Sequence, residues 1–521
     1  MAALTYRANL KATAFPFLTE LGGRTVIIKG SDHNQVPGLT EKQSITEADQ
    51  NIGVPQLYYC HNIIPTVQGY KSVGYDSYLT TPLTGVTDMS RQVHVRDGSG
   101  NTMLLSLTKS GRLYRLMAGE TVWKSVPGAP DSSLIENRRI TAAQVGGITY
   151  IYFERVGCYF FNFSAELLVP VTLQGLVATD ILGLVSSFGY LLAYSKDAFV
   201  WSSTVDPTDF VPSLSTGAGG GQVEGARGKI VGVQVIYSAI IVFTDSNAVA
   251  GQYTANIRYP FNFTEISGCG GLYDPDYVSY DSNSGAVYAY TTSGLQSITT
   301  RTGTVVYPEV TDYLSGSRFE DYDEDLDQLI VVEPTAPVPK QITTVADRYL
   351  VISFGISTTT TDFTHALIFD MAMKQWAKLK IRHVQCFEML LYAQDTEETP
   401  RKSLAFLQRD GSIHITNFDI SAVSSSGIAI FGKYQYVRAR LMTLQGIDVE
   451  GVVDTDTFST TILSTLDGKS FIAPSTPTLK NTGNEIRTYN CRVTGINHSL
   501  LFKGKFNLTS LLLTFTNHGA R

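Results

Sequence analysis

The residues that could do chemistry come first. Eight histidines (His33, His61, His94, His365, His383, His414, His498 and His518) are scattered over 521 residues, and none falls in H-E-x-x-H or another zinc-binding spacing. No G-x-S-x-G elbow offers a serine nucleophile. Gly217–Gly221 begins like a phosphate loop, but neither G-x-G-x-x-G nor the Walker pattern closes. Gly468-Lys469-Ser470 ends like a Walker motif, yet Leu463 stands where its leading glycine belongs. The acidic stretch Glu320–Asp327 (EDYDEDLD) cannot be a calcium loop, which needs glycine at the sixth position and glutamate at the twelfth. Asp321, Asp323, Asp325 and Asp327 alternate, so on a strand they would share one face. That face is either a solvated turn or edge protected by charge, or part of a ring of negative charge lining the axial channel of an oligomer. No Asp/Glu spacing singles out a glycosidase pair. The sequence therefore predicts no catalytic residues, no metal and no cofactor.

The elements around these residues repeat. An apolar strand, a tight polar turn and a second strand recur at Thr102–Trp123, Ile148–Phe163, Gly189–Phe210, Ser238–Phe263, Gly285–Thr299, Arg348–Leu379 and Ser403–Phe418. Turn chemistry sits at the middle of most copies, as at Lys109-Ser110-Gly111, Ser195-Lys196-Asp197, Asp245-Ser246-Asn247, Ser293-Gly294 and Arg409-Asp410-Gly411. A spacing of roughly 40–50 residues is that of propeller blades, which must stack in a ring to bury their faces. The fold class predicted is all-β: a β-propeller of about seven blades, with six or eight open because the fifth and seventh copies are weak. Trp123, Trp201 and Trp376, near the ends of three hairpins, are expected to pack on or between blades.

Three regions follow: a lead-in over 1–84, the propeller over 85–426, and a C-terminal β-sandwich-like module over 427–521. In the lead-in, Gln56–Gly74 reads as a strand running into Pro65 and a turn at Gln68-Gly69. The last region alternates apolar and polar residues at Tyr434–Leu441, Phe458–Leu466 and Leu508–Phe515, with a hairpin turn at Asp467-Gly468. The two flanking regions are expected to mediate assembly while the propeller closes by itself.

Composition agrees with stacked sheets: 17% charged residues, 28 Tyr, 25 Phe and 45 Gly. A net charge of −7 argues against gripping nucleic acid by counterion release, though not against surrounding it. Cys60, Cys158, Cys269, Cys386 and Cys491 are far apart with no C-x-x-C, which predicts buried thiols. The first residues lack a signal-peptide pattern, and no run of about 18 apolar residues spans a membrane. The sequons at Asn162, Asn262, Asn497 and Asn507 are then chance matches.

Three segments carry a resemblance. Asn62–Gly74 (NIIPTVQGYKSVG) looks like the opening phrase that precedes a phage propeller. Tyr190–Phe210 (YLLAYSKDAFVWSSTVDPTDF) and Ala366–Leu379 (ALIFDMAMKQWAKL) share the phrasing of virion blades. Ile496–Arg521 is similar to closing β modules of tail components. Together the chain resembles the tail nozzle proteins of short-tailed phages, the tail tubular protein B-like or packaged-DNA-stabilising group. The resemblance implies a structural virion protein, not an enzyme, made in the host cytoplasm. It implies a hexameric ring on the head-to-tail adaptor, contacting other tail proteins, retaining packaged DNA and passing it without sequence-specific binding. The long tip domains common between blades in that group are missing here. The competing readings are a receptor- or glycan-binding tail protein and a carbohydrate-active propeller.

Overall fold

The computed structural model describes residues 3–9, 26–28, 57–66, 69–237, 239–257, 259–325, 328–334, 338–345, 348–356, 362–372, 374–391, 401–417, 426–436, 441–466, 475–482 and 486–517. Asp327, the Asp467-Gly468 turn, His33 and His518 lie outside them. The seven hairpins read from the sequence are the middle strands of seven blades. Blade one is Met89–Arg96, Thr102–Thr108, Leu113–Met117 and Lys124–Ser125. Blades two to five repeat this antiparallel meander from Ile140 to Val171, Ile181 to Gly221, Ile230 to Glu265 and Val278 to Val305. Blade six runs from Lys340 to His383. Blade seven takes three strands from Gln385–Leu391, Arg401–Leu407 and Ile413–Asn417.

The first strands of successive blades are neighbours around the axis, from blade one through blade seven and back. Second strands such as Tyr190–Ser195 and Ala239–Thr244 are nearly continuous apolar runs because each is covered by a blade on both faces. Several turns joining second and third strands take positive φ, as at Gly111, Gly294 and Gly411, whereas those at Ser195-Lys196-Asp197 and Asp245-Ser246-Asn247 do not. At Gly111 (φ +80°) a Cβ would also stand 2.0 Å from the Ser132 carbonyl oxygen, so this site excludes every other residue.

Ring closure overturns one expectation. The fourth strand of blade seven is Gly74–Tyr78, from the lead-in, with Ser77 opposite Ile415 and Tyr78 opposite His414. The propeller therefore does not close by itself. The free edge of Ile413–Asn417 needs a partner, and the chain supplies one from far away in sequence.

The lead-in also builds the C-terminal sandwich. One sheet has the order Val26–Ile28, Gly427–Tyr436, Asn497–Gly504, Ser459–Thr465, with Leu57–His61 also on Gly427–Tyr436. The other contains Met442–Val453, Thr478–Thr482, Ile486–Gly495 and Phe506–Asn517, with Ala3–Asn9 paired to the last. This second sheet reaches blade six through short pairings, one residue pair between Lys378 and Ile63 and two that set Lys71 and Tyr70 opposite Asn507 and Leu508. Ile63–Pro65 pairs with Gln375–His383, and Tyr70–Ser72 pairs with Phe506–Asn517, giving eleven strands in all. The two modules share one core, in which Leu444, Ile447 and Phe502 of the sandwich meet Leu350, Leu367 and Trp376 of blade six. Gln68 of the expected Gln68-Gly69 turn lies outside the described residues; on either side of it the Thr66 N–H donates to the Gly69 carbonyl at 2.8 Å.

Gly69 packs so closely on the sandwich that a Cβ there would lie 1.9 Å from the Leu508 carbonyl oxygen. Gly69→Ala is expected to cost about 1–3 kcal/mol by forcing that backbone apart. Thermal denaturation would check it, and an unchanged midpoint would show that the junction yields freely.

Three separate sites hold the tryptophans. Trp123 lies between blades one and seven and donates its indole N–H to the Gly411 carbonyl at 2.6 Å. Trp201 donates to the Gly217 carbonyl at 2.8 Å, and Gly219 in the Gly219–Gly221 strand lies against its ring. The glycine run is thus an outer strand that leaves room for an indole, not a phosphate loop. Trp376 packs on Tyr307 and Phe369. Cys60, Cys158 and Cys386 are buried and Cys269 and Cys491 half-buried, all as free thiols. Burial pushes the Cys60 thiol up to about 12, which removes it as a nucleophile.

Candidate functional site at the mouth of the channel

In an up-and-down meander, the turn between second and third strands and the start of the first strand lie at the same end. Hydrogen bonds here bear that out. The Lys109 N–H donates to the Asp88 carbonyl at 2.8 Å, Ile230 to Lys196 at 2.7 Å and Met89 to Arg409 at 3.0 Å. The charged turns singled out in the sequence therefore ring one mouth of the channel.

Seams between blades at this ring of first strands are stitched by side chains that imitate backbone. Gln385 accepts from the Gln92 N–H at 2.6 Å and donates back to the Gln92 carbonyl at 3.3 Å. Gln341 does the same to Cys386, at 2.9 and 3.0 Å. A side-chain amide carries one acceptor and one donor group, as a peptide does, so it satisfies an inner strand that has no neighbour to pair with. Thr344 joins blades five and six through Ser279 and the Tyr280 carbonyl at 3.0 and 2.6 Å.

The hole is bridged at this mouth. Arg91 of blade one meets Asp276 across the ring at 2.6 Å, and Arg139 of blade two meets Asp274 at 2.6 Å and Asp276 at 3.4 Å. Asp276 lies in the short 3-10 turn Pro275–Tyr277, which leads into blade five. Burial opposes charge on Asp276, but Arg91 and Arg139 hold its carboxyl below the usual range. Burial pushes the nearby Tyr194 hydroxyl up to about 12. Beside the bridge is a cleft of about 240 Å³ lined by Arg91, Lys109, Arg138, Asp362, Gln341 and Gln385. Asp362 is itself held by Arg382 at 3.2 Å and Arg409 at 2.5 Å. Charges already paired in this way suit recognition and rigidity; the lining offers neither histidine nor cysteine for nucleophilic chemistry. Arg139→Ala is expected to cost about 1–3 kcal/mol, since both aspartates lose a partner but keep some solvent. Melting at low and high salt would check it: the difference between variant and parent should narrow as salt rises.

The acidic run lies elsewhere and differs from expectation. Only Asp321 and Asp323 are on the strand Phe319–Asp323; Glu324 and Asp325 are in the turn, where the Asp325 N–H donates to Asp323 at 3.0 Å. Asp325 is exposed, whereas Asp321 is turned into the body of the protein. Its carboxylate takes Lys380 at 3.0 Å, His365 at 3.3 Å and the Tyr59 hydroxyl at 3.1 Å. Tyr59 in turn contacts His61 at 3.0 Å, and the fully buried Lys378 has its ammonium 4.1 Å from the Tyr59 ring centre. Asp321, Asp323 and Asp325 thus do not share one solvated face, because Asp321 turns inward as the anion where two lysines meet in an apolar junction. Burial opposes the Asp321 charge, but the hydrogen bond from His365 and the charges of His365, Lys380 and Lys378 hold its carboxyl far below the usual range. Burial lowers His61, His365 and Lys378. Sequence alternation could not find this cluster, in which Tyr59 and Asp321 alone stand 262 positions apart and the lysines lie farther still.

Among the described residues no group of three or more His, Cys, Asp or Glu could hold a metal ion, and no helix is long and apolar enough to cross a membrane. The chain is a β-propeller with a fused sandwich, an assignment that rests on its strand order. No family model and no curated protein matches it. Solved structures similar to it include YCF48 bound to a D1 peptide, 10% identical over 68% of this chain and 100% of that one, TM-score 0.38. The WD40 propeller domain of Doa1 is 9% identical over 68% and 100%, TM-score 0.38. YCF48 from Cyanidioschyzon merolae is 10% identical over 65% and 98%, TM-score 0.37.

Proposed function

We propose that this chain is a structural, non-catalytic component of a short-tailed phage tail, a nozzle-like protein whose copies form a hexameric ring below the head-to-tail adaptor. Packaged DNA is retained above the ring and leaves along its axis. The observation that carries this reading is the joining of blade six, the lead-in hairpin and the sandwich in one eleven-stranded sheet over a shared apolar core. A wall that guides DNA under pressure must not hinge between modules, and a large shared apolar core resists hinging. The lead-in, blade and closing segments quoted above support the phage context. The Arg91–Asp276–Arg139 bridge obstructs a single propeller's own hole, which leaves the axis of a ring of copies as the DNA path.

Light scattering and electron microscopy of the purified chain, alone and with a portal–adaptor column, test this. A ring that caps the adaptor is expected. A chain that stays monomeric at high concentration and ignores the adaptor would overturn the proposal. So would polysaccharide hydrolysis abolished by a single carboxylate substitution.

A further inference from the structure

One face of blades three and four, opposite the bridged mouth, carries an exposed aromatic and aliphatic patch. Tyr237 caps the hairpin between Ile230–Ile236 and Ala239–Thr244 and is 92% exposed. Ala239 pairs with Gln252, which places Tyr253 at the same end. Phe188 caps the matching hairpin of blade three and stacks on Tyr253, ring centres 4.5 Å apart and planes 7° from parallel. Ile257 lies under the turn Ser213–Gly217, which presents Leu214; a Cβ at Gly217 would be 2.7 Å from Ile257. Tyr259 and Leu214 are each 72% exposed and Ile257 52%.

Two backbone positions here adopt a conformation that side chains disfavour, Phe188 at φ +52° and Ala255 at +58°. A bulky aromatic at positive φ is an outlier, kept although it places a ring at the surface. Among the described residues of 212–217, 237 and 252–260 there is no Asp, Glu, Lys or Arg; Arg258 lies outside them.

We infer that this patch is a contact surface for a second copy of the chain, the neighbour in the ring. Its aromatic side chains, Tyr237, Tyr253, Tyr259 and Phe188, are of the types enriched at the centre of a protein interface. Leu214 and Ile257 offer nothing to a hydroxylated sugar, which disfavours a glycan. The exposed side-chain surface is on the order of 600 Å², most of the roughly 800 Å² each partner contributes to a standard interface. The identity of the partner rests on the ring reading above, and the position of the contact rests on the patch itself.

The test compares the parent chain, Tyr237→Glu with Tyr259→Glu, and Tyr237→Phe with Tyr259→Phe, by analytical ultracentrifugation over a concentration series. Both tyrosines project from turns, so melting curves should coincide. The glutamate pair is expected to weaken self-association at least about 30-fold, and the phenylalanine pair to leave it within about threefold. If the parent is monomeric, both the ring reading and this inference fall. If the parent assembles and the glutamate pair assembles equally well, only this inference falls. The same holds if the glutamate pair assembles normally but loses binding to a neutral oligosaccharide or to another tail protein.

Discussion

A chain shortened to begin at Leu79 is expected not to fold, recovered as an aggregate or an expanded species without near-UV circular dichroism, whereas one beginning at Leu57 folds. The deleted strands close blade seven through Gly74–Tyr78 and join sandwich to propeller through Ile63–Pro65 and Tyr70–Ser72. Leu57, Tyr59, Cys60, Ile63, Ile64, Tyr70 and Val73 are each buried. At about 1.5–3 kcal/mol for each large apolar side chain, their loss is on the order of 10–20 kcal/mol, as large as the about 5–15 kcal/mol by which folded proteins are typically stable. The shortened chain would also present unpaired edges on Gln375–His383, Ile413–Asn417, Gly427–Tyr436 and Phe506–Asn517, which invite aggregation. Size-exclusion chromatography and circular dichroism would check this. Cooperative melting of the chain from Leu79 at the parent's midpoint would show instead that the closing strand is dispensable.

Asp321→Ala is expected to destabilise the protein by about 3–5 kcal/mol, because Lys380 and the buried Lys378 lose a counter-charge and His365 loses a hydrogen-bond partner. Adding Lys378→Met to that variant should recover part of the loss, since it removes a buried cation that has lost one of its neighbouring carboxylates. The pH dependence follows from the direction of the shift. The Asp321 carboxyl is depressed in the folded chain, so on acidification the unfolded chain binds this proton first. Its stabilisation is therefore complete above the unfolded value of about 3.9 and fades as pH falls toward the lower folded value. Urea unfolding of the parent and of Asp321→Asn should show a wide gap near pH 6 that shrinks below about pH 4. A gap independent of pH would mean that Asp321 acts through shape and not charge.

These two predictions lie where the sequence is least informative. Local pattern located the middle strands of the blades because their determinants are local: continuous apolar runs, and turns such as Lys109-Ser110-Gly111 and Asp410-Gly411 whose glycines take positive φ. The inner strands were less visible. Residues such as Gln92, Gln341 and Gln385 look like ordinary polar positions until a neighbouring blade gives their amides a backbone to bond.

Which strand pairs with which was not legible. Gly74–Tyr78 carries no mark of a fourth strand for blade seven, and the NIIPTVQGYKSVG stretch reads as an isolated strand and turn. Asp321 shows the same limit from the side of chemistry, since alternating acids suggest a solvated face whatever cations arrive from elsewhere. By itself the sequence determined the repeat, its turns and its burial pattern, because these depend on a residue and its near neighbours. Ring closure, the fusion of the modules and the pairing of buried charge were decided only in the tertiary structure. Each joins segments hundreds of residues apart, and no local preference encodes a partner at that distance.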